Sequence, residues 1–242
     1  MTYCNGVILA SNSKVVAVIH ARMSSSRFPG KMLALLGGMP VLEWVVRRTM
    51  CAEGVHRFVL ATSDLRADDV LATLGEQLGI EVFRGSHEDV LRRVIDAAEL
   101  HHADAVLRVC ADNPLIDPRL LTQLIEDFRV LSCDYLFNHR PGLGLIVADG
   151  FGGEVFDLAA LKSVPRRFSE TRYHEHLTSA FWEHQDVFVV RSCAVDKSLQ
   201  YSEFRFDVDV PADLQYLNDL VSRGRINLNT SATEIVSVAL GA

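Results

Sequence analysis

The sequence lacks any C-x-x-C pair, and its cysteines are few and far apart. They are Cys4, Cys51, Cys110, Cys133 and Cys193. An odd number of scattered cysteines indicates neither a disulfide framework nor a zinc ribbon. We therefore expect a protein of a reducing compartment, the cytoplasm.

Long hydrophobic runs are also missing. No segment approaches the ~20 apolar residues that a membrane-spanning helix needs. The first residues, MTYCNGVILASNSK, contain only a short apolar stretch with no basic segment before it, unlike a secretory signal. We expect a protein that works in solution, without a membrane.

Basic residues are also outnumbered: 24 Lys and Arg stand against 31 Asp and Glu, and the formal net charge is -7 at pH 7. A general nucleic-acid binder normally presents a basic face, so we expect no nucleic-acid partner. Any polyanion that this protein holds should be small and bound locally. The sequence shows no internal repeat or low-complexity segment, and 49% of its residues are hydrophobic, enough for a sizeable core.

From residue 15 onward, short β-branched runs alternate with amphipathic stretches. The predicted strands are 15–21, 57–62, 81–84 and 105–111, and the predicted helices are 40–52, 68–78 and 88–102. This βα alternation predicts an α/β fold with a mainly parallel sheet covered by helices on both faces. Ligands of such sheets lie beyond the carboxyl ends of the strands.

After about residue 132 the alternation gives way to short strand-like pieces and several glycines. We interpret residues 1–242 as a single domain with a small α+β lobe at about 135–190. Later segments predict a helix over 171–184, strands over 187–192 and 204–210, and a helix over 211–224.

The loop ARMSSSRFPGK, residues 21–31, follows the first predicted strand and contains no acidic residue. Backbone N–H groups, hydroxyls and cations in such a loop can bind an anion. Lysine supplies a point charge there, and the arginines supply forked donors. A solvated basic loop explains the composition equally well. The motif is not a Walker A loop, because G-x-x-x-x-G-K-[ST] is absent.

Acidic residues follow two further extended segments. Asp112, in RVCADNPLID, ends a predicted strand, where a carboxylate can hold Mg²⁺ together with substrate phosphates. An Asx turn before Pro114 is the structural alternative. Asp207 and Asp209, in RFDVDVPADL, share one side of an extended segment and would repel each other without a cation. Alternatively, Asp209 or Asp213 caps the following helix.

The three motifs together resemble a known enzyme family. A-R-x-x-S-x-R-[LF]-P-G-K, R-[VI]-x-x-D-x-P-L-I-D-P and D-V-D-x-P-x-D-L occur here in that order. They are similar to the cytidylyltransferases that make CMP-activated acidic sugars, especially the spore-coat polysaccharide SpsF-type proteins. These are akin to the CMP-3-deoxy-manno-octulosonate and CMP-N-acylneuraminate synthetases. The resemblance runs from about Val15 to Val221 and includes EDVLRRVIDAAELHHAD.

This resemblance implies a GT-A-like nucleotidyltransferase fold, with CTP and a sugar acid as substrates and Mg²⁺ as cofactor. The implied products are a CMP-sugar and pyrophosphate. It also implies a homodimer that pairs through the smaller lobe.

The resemblance assigns roles to individual residues. The implied catalytic residues are Arg22, Lys31, Asp112 and Asp209. The implied nucleotide-binding residues are His20, Ala21, Arg22, Ser24, Arg27, Lys31, Arg93 and Cys110. Metal ligands would be Asp112, Asp207 and Asp209, and acceptor-binding residues would be Arg140, Asp149, Glu154 and His174.

Some positions depart from the family pattern. His20 replaces a glutamine or proline, Cys110 stands where a polar side chain is common, and HEH at 174–176 replaces R-E-H. These changes bear on base selectivity and on the acceptor. Two alternatives stay open: a GT-A glycosyltransferase that consumes a nucleotide-sugar, and a non-catalytic nucleotide-binding module.

Overall fold

The computed structural model describes residues 13–241. Cys4 therefore lies outside the described residues, and the other four cysteines are unpaired. No helix in this range is long and apolar enough to cross a membrane.

Strands and helices alternate through the first half of the chain, as predicted. The strands are β1 (Val15–His20), β2 (Leu35–Leu36), β3 (Met39–Pro40), β4 (Arg57–Ser63), β5 (Glu81–Gly85), β6 (Ala105–Cys110), β7 (Tyr135–Phe137), β8 (Glu154–Asp157) and β9 (Val190–Ser192). The α-helices are α1 (Val41–Thr49), α2 (Asp69–Leu78), α3 (Val90–Leu100), α4 (Pro118–Val130), α5 (Leu158–Arg167), α6 (Arg172–Glu175), α7 (Ser179–Glu183), α8 (Pro211–Gly224) and α9 (Ala232–Leu240). Short 3₁₀ helices cover Lys31–Leu33, Arg66–Asp68 and Lys197–Leu199.

Seven of these strands form one sheet in the order β5-β4-β1-β6-β8-β7-β9. β1 pairs in parallel with β4 and β6, and β4 with β5. β8 runs antiparallel to both β6 and β7, and β7 is parallel to β9. The predicted α/β architecture is therefore confirmed. The strands of the predicted small lobe, β7 to β9, continue the main sheet instead of forming a separate one.

Both faces of the sheet are buried, which explains the unbroken apolar sequence of β1. Val15, Ala17 and Ile19 pack on one side against residues of α1, α2 and α4. Val16 and Val18 pack on the other side against α3, α5, α6 and α7. A third apolar cluster joins α8 and α9 to the segments around Ala148 and Phe206.

Two predicted elements are wrong. Residues 171–184 form two short helices, α6 and α7, instead of one. Residues 204–210 form no strand, because their backbone bonds go to two different segments: Phe206 N–H donates to Asp149 O, and Val208 N–H to Asp112 O. Only an isolated bridge between Asp149 and Arg205 remains. The helix predicted over 88–102 begins at Val90, since the Asp89 side chain caps it by accepting from Arg92 N–H.

Candidate active site

A cleft of about 300 Å³ opens at the carboxyl ends of β1 and β6. Its walls come from the 21–31 loop, the two strand ends, α3, α6 and the segment before α8. The lining residues are His20, Ala21, Arg22, Ser24, Ser25, Ser26, Arg27, Lys31, Met32, Val90, Arg93, Arg108, Cys110, Ala111, Asp112, Glu175, His176 and Asp209. Every residue predicted to bind the nucleotide is therefore in the cleft.

The basic loop folds back on itself through local bonds. Gly30 has a positive φ of 75°, which favours glycine, and its N–H donates to Met23 O at 3.3 Å. Ser25 Oγ accepts from Phe28 N–H at 3.2 Å. This turn carries Lys31 into the cleft as the first residue of a 3₁₀ helix.

Asp68 holds this loop against the end of β4. Sequence reasoning did not identify this residue. The carboxylate is 2% exposed and accepts from Met23 N–H at 2.7 Å through Oδ1. Its Oδ2 accepts from the Ser63 hydroxyl at the end of β4. A buried acid between a strand end and a loop therefore couples the loop to the sheet.

Lys31 is the centre of the acidic part of the cleft. Its ammonium donates to Asp112 Oδ2 at 3.1 Å, to Val208 O at 2.8 Å and to Asp209 Oδ1 at 3.3 Å. Arg27 Nη2 lies 3.1 Å from Asp209 Oδ2. The structure thus brings together Lys31, Asp112 and Asp209, three residues that are distant in sequence.

These carboxylates fit a magnesium ion. One oxygen from Asp112 and one from Asp209 converge on a single cationic nitrogen, so the pair already faces a common point of positive charge. Mg²⁺ in phosphoryl-transfer sites is commonly held by one or two carboxylates, with water and phosphate completing the octahedron. Within residues 13–241, no group of three or more His, Cys, Asp or Glu side chains is placed to hold a metal ion.

Asp207 lies elsewhere, although sequence spacing grouped it with Asp209. Arg205 binds its carboxylate with both Nε and Nη2, at 3.0 and 2.6 Å. Asp207 does not line the cleft. Its role as a metal ligand stays a prediction that this geometry does not favour.

A histidine, a cysteine and an arginine, His20, Cys110 and Arg108, line another part of the cleft. Arg108 Nε donates to His20 Nε2 at 3.0 Å. Burial, followed by the charge of Arg108, lowers the pKa of His20 well below its usual value. Burial raises the pKa of the Cys110 thiol to about 12. Arg108 was not among the predicted site residues, because β6 is apolar on both faces and its sequence does not show which face turns to a ligand.

The residues predicted to bind the acceptor do not line the cleft. Arg140 stacks over the Trp182 ring at 5.0 Å, and Asp149 Oδ1 accepts from Gly150 N–H at 2.8 Å. Glu154 is 1% exposed and accepts from Tyr135 Oη at 2.7 Å. His174 Nδ1 lies 2.6 Å from Asp89 Oδ2. Their acceptor role stays a prediction.

Two neighbours of His174 do reach the cleft. Glu175 Oε1 lies 3.0 Å from Arg22 Nη2, and His176 lines the wall beside it. The HEH segment therefore contacts the 21–31 loop, and Glu175 is a cleft residue that sequence reasoning missed.

The sequence of this chain is similar to those of known proteins. A family model described as cytidylyltransferase matches residues 16–233. The spore coat polysaccharide biosynthesis protein SpsF of Bacillus subtilis (strain 168) is 29% identical over 229 residues, 93% of each chain. The 3-deoxy-manno-octulosonate cytidylyltransferase of Trichlorobacter lovleyi is 41% identical over 117 residues, 48% of this chain and 45% of that protein.

Solved structures share the fold. A cytidylyltransferase from Leptospira borgpetersenii serovar Hardjo-bovis superposes with a TM-score of 0.87 at 24% identity, covering 95% of both chains. CMP:2-keto-3-deoxy-manno-octonic acid synthetase complexed with CTP superposes with a TM-score of 0.65 at 20% identity, covering 87% of this chain and 99% of that one. The expected nucleotidyltransferase fold is confirmed. Because the family model spans most of the sequence, the chain belongs to the cytidylyltransferase family.

Proposed function

We propose that this enzyme transfers CMP from CTP to the anomeric hydroxyl of an acidic sugar, an ulosonic or nonulosonic acid, and releases pyrophosphate. The observation that best supports this proposal is the convergence of Lys31, Asp112 and Asp209 in a cleft bordered by the 21–31 loop. The names of the SpsF and octulosonate relatives support surface polysaccharide precursors as the product class.

The positions of the charged side chains in the cleft suit this reaction. The acceptor hydroxyl attacks the α-phosphorus of CTP while pyrophosphate leaves in line, so negative charge grows on phosphate oxygens. Arg22, Arg27 and Lys31 supply positive charge at the loop, and backbone N–H groups there offer further donors. Holding both substrates in one geometry contributes much of the acceleration.

Asp112 and Asp209 would hold Mg²⁺. The ion, when bound, supplies Lewis-acid charge that neutralises phosphate oxygens and favours loss of the hydroxyl proton. Lys31 lies between these two carboxylates and adds positive charge at the same place. This arrangement requires no separate side-chain base, because the hydroxyl proton can pass to solvent water or to an oxygen of the departing pyrophosphate.

We place the acceptor at the α6 side of the cleft, toward residues 139–176. Arg140 is a candidate for the sugar carboxylate, because a guanidinium binds a carboxylate bidentately. Its side chain is 40% exposed, which suits a ligand contact. Asp149 and His174 complete the proposed acceptor region. Glu154 does not fit the acceptor role predicted for it, because it is 1% exposed and its two carboxylate oxygens already accept hydrogen bonds from Arg108 and Tyr135.

We further propose a cytoplasmic homodimer. The unpaired cysteines suit a reducing compartment. Leu143 and Ile146, in the loop of the small lobe, are 48% and 55% exposed and are our candidate residues for the interface.

Pyrophosphate release tests the function directly. We expect release when the protein is incubated with CTP, Mg²⁺ and a panel of ulosonic and nonulosonic acids. Hexose 1-phosphates should give no pyrophosphate, since the phosphate of such an acceptor would need its own site with several convergent cations. Consumption of a nucleotide-sugar instead of CTP would identify a glycosyltransferase. CTP binding without turnover for any acceptor would indicate a non-catalytic module.

A further inference from the structure

Polar side chains form a continuous row on one face of the sheet, leading from the cleft into the interior. The strand register sets this row, because His20 pairs with Cys110, and Arg108 pairs with Glu154. Arg108 donates to His20 Nε2 at 3.0 Å and to Glu154 Oε2. Tyr135 donates to the other oxygen of Glu154 at 2.7 Å.

The bond from Arg108 decides which imidazole nitrogen carries the hydrogen. A guanidinium has donors only and stays protonated in proteins. Nε2 of His20 must therefore be the acceptor, so Nδ1 is the N–H donor of a neutral ring. A protonated ring would place one N–H against another. Burial and the cations Arg108, Arg93, Arg22 and Lys31 also lower the pKa of this histidine.

Glu154 fixes Arg108 in turn. Its carboxylate is 1% exposed. Burial raises its pKa, but the charges of Arg108 and His139 and the hydrogen bonds from Tyr135 and Arg108 together outweigh that effect, so the pKa lies below its usual value. The guanidinium thus has a buried anionic partner on one side and His20 on the other. This buried pair holds the imidazole in one orientation.

The surroundings of His20 suit a nucleobase. Its cleft neighbours include Ala21, Val90 and Cys110, and the raised pKa of Cys110 keeps that thiol neutral. Lys31 is the weakest of the four cations acting on His20. Nδ1 has no hydrogen-bond partner among the residues that the structure describes.

We propose that His20 is a specificity-determining residue, whose Nδ1–H donates to the ring carbonyl oxygen O2 of the cytosine base. Arg108 and Glu154 are positioning residues that hold His20 in its donor form. The identity of the base rests on the proposed function, whereas the form of the imidazole does not. Such a donor selects a base with a carbonyl acceptor at this place, and it does not separate cytosine from uracil.

Nitrogen NMR tests the imidazole form in the nucleotide-free protein. With ¹⁵N-histidine labelling, the His20 signals are identified by their loss in His20→Gln. We expect Nδ1 to be protonated, Nε2 to be unprotonated, and neither to titrate between about pH 6 and 8, the range where free histidine titrates. A protonated Nε2, or an imidazolium in this range, would overturn the proposal.

Calorimetry with CTP and 2-thio-CTP tests the contact, because sulfur accepts hydrogen bonds more weakly than oxygen. Wild type should bind CTP about tenfold more tightly than the 2-thio analogue, the usual worth of one hydrogen bond. His20→Leu should bind both ligands equally, and His20→Gln, which retains a donor, should restore the preference. His56→Leu is the matched control, since His56 is exposed, and it should behave as wild type.

The two measurements separate the possible failures. A His20→Leu variant that discriminates between the analogues as well as wild type would refute the contact. A wild-type protein that does not bind CTP would refute the proposed function, and the base contact with it, while the NMR result would still decide the imidazole form. Pyrophosphate affinity should be the same in all variants, and its loss in His20→Leu would contradict a base contact.

Discussion

At the scale of single residues, Lys31 belongs to the loop that we propose binds the phosphates, and it contacts both carboxylates that we propose hold the metal ion. It begins the turn that ends the basic loop, and it neutralises Asp112 and Asp209. Its ammonium is 2.8 Å from Val208 O, so it also joins the loop to the segment before α8. Removing it would take away a phosphate donor and leave two carboxylates facing each other.

Lys31→Ala should weaken CTP binding by about 1.5–3 kcal/mol, the usual worth of a charge-assisted hydrogen bond. Calorimetry at fixed Mg²⁺ measures this change. Lys197→Ala is the control, since Lys197 is exposed and outside the cleft, and its affinity should equal that of wild type. An unchanged affinity in folded Lys31→Ala would contradict the assignment.

The acidic residues permit a paired comparison. Asp112→Asn should lower turnover by orders of magnitude, because metal charge stabilises the transition state by several kcal/mol. Asp207→Asn should have a much smaller effect, since Arg205 already binds that carboxylate outside the cleft. Initial rates over a range of Mg²⁺ concentrations distinguish the two. Equal losses would place Asp207 among the metal ligands.

The residues predicted to bind the nucleotide line one cleft, whereas the residues predicted to bind the acceptor do not. Arg22, Lys31, Asp112 and Asp209 all line the cleft, since each follows an apolar strand or extended segment that the fold ends at the same edge. Glu154 could not be placed this way. Its burial depends on Arg108 and Tyr135, cross-strand neighbours that no local pattern reveals.

At the scale of elements, strands with both faces buried were predictable, because β-branched runs such as VVAVI have few other stable environments. Helices with a strong apolar periodicity, such as α3, were also predictable. The 204–210 segment looked like a strand from its alternation. It forms no strand because its backbone hydrogen bonds are divided between residues 112 and 149. These contacts are distant in sequence, so the local pattern does not reveal them.

Helix α1 carries a buried structural cation. Arg48 is fully buried and donates to the carbonyl oxygens of Leu115, Ile116, Asn227, Leu228 and Thr230. Burial lowers its pKa to about 10. One side chain therefore ties α1 to the loop after Asp112 and to the connection before α9.

Arg48→Met should destabilise the fold by roughly 3–5 kcal/mol, because several buried carbonyl groups lose their donor. Urea unfolding measures the change. Arg47→Met on the same helix is the matched control: Arg47 is half exposed and pairs with Glu43 at 2.7 Å, so its loss should cost less than about 1 kcal/mol. Similar losses for both variants would contradict this role for Arg48.

At the scale of the whole molecule, the dimer stays a prediction by family analogy. Light scattering should give about twice the monomer mass of 26.9 kDa at micromolar concentration. Leu143→Glu/Ile146→Glu should shift the protein toward monomer, since charged residues are unfavourable in an apolar interface. A wild-type protein of 26.9 kDa under the same conditions would contradict the prediction.

The bonds of Lys31 to Val208 and Asp209 join residues 177 and 178 positions apart. During synthesis on a ribosome, the basic loop emerges long before these partners do. At about 5–20 residues per second, the delay is roughly 10–35 s. A nascent chain that has reached only the middle of the sequence therefore presents the cationic loop without Asp209. The proposed catalytic centre is completed only when most of the chain has been translated, so incomplete translation products should lack activity even where their first strands have folded.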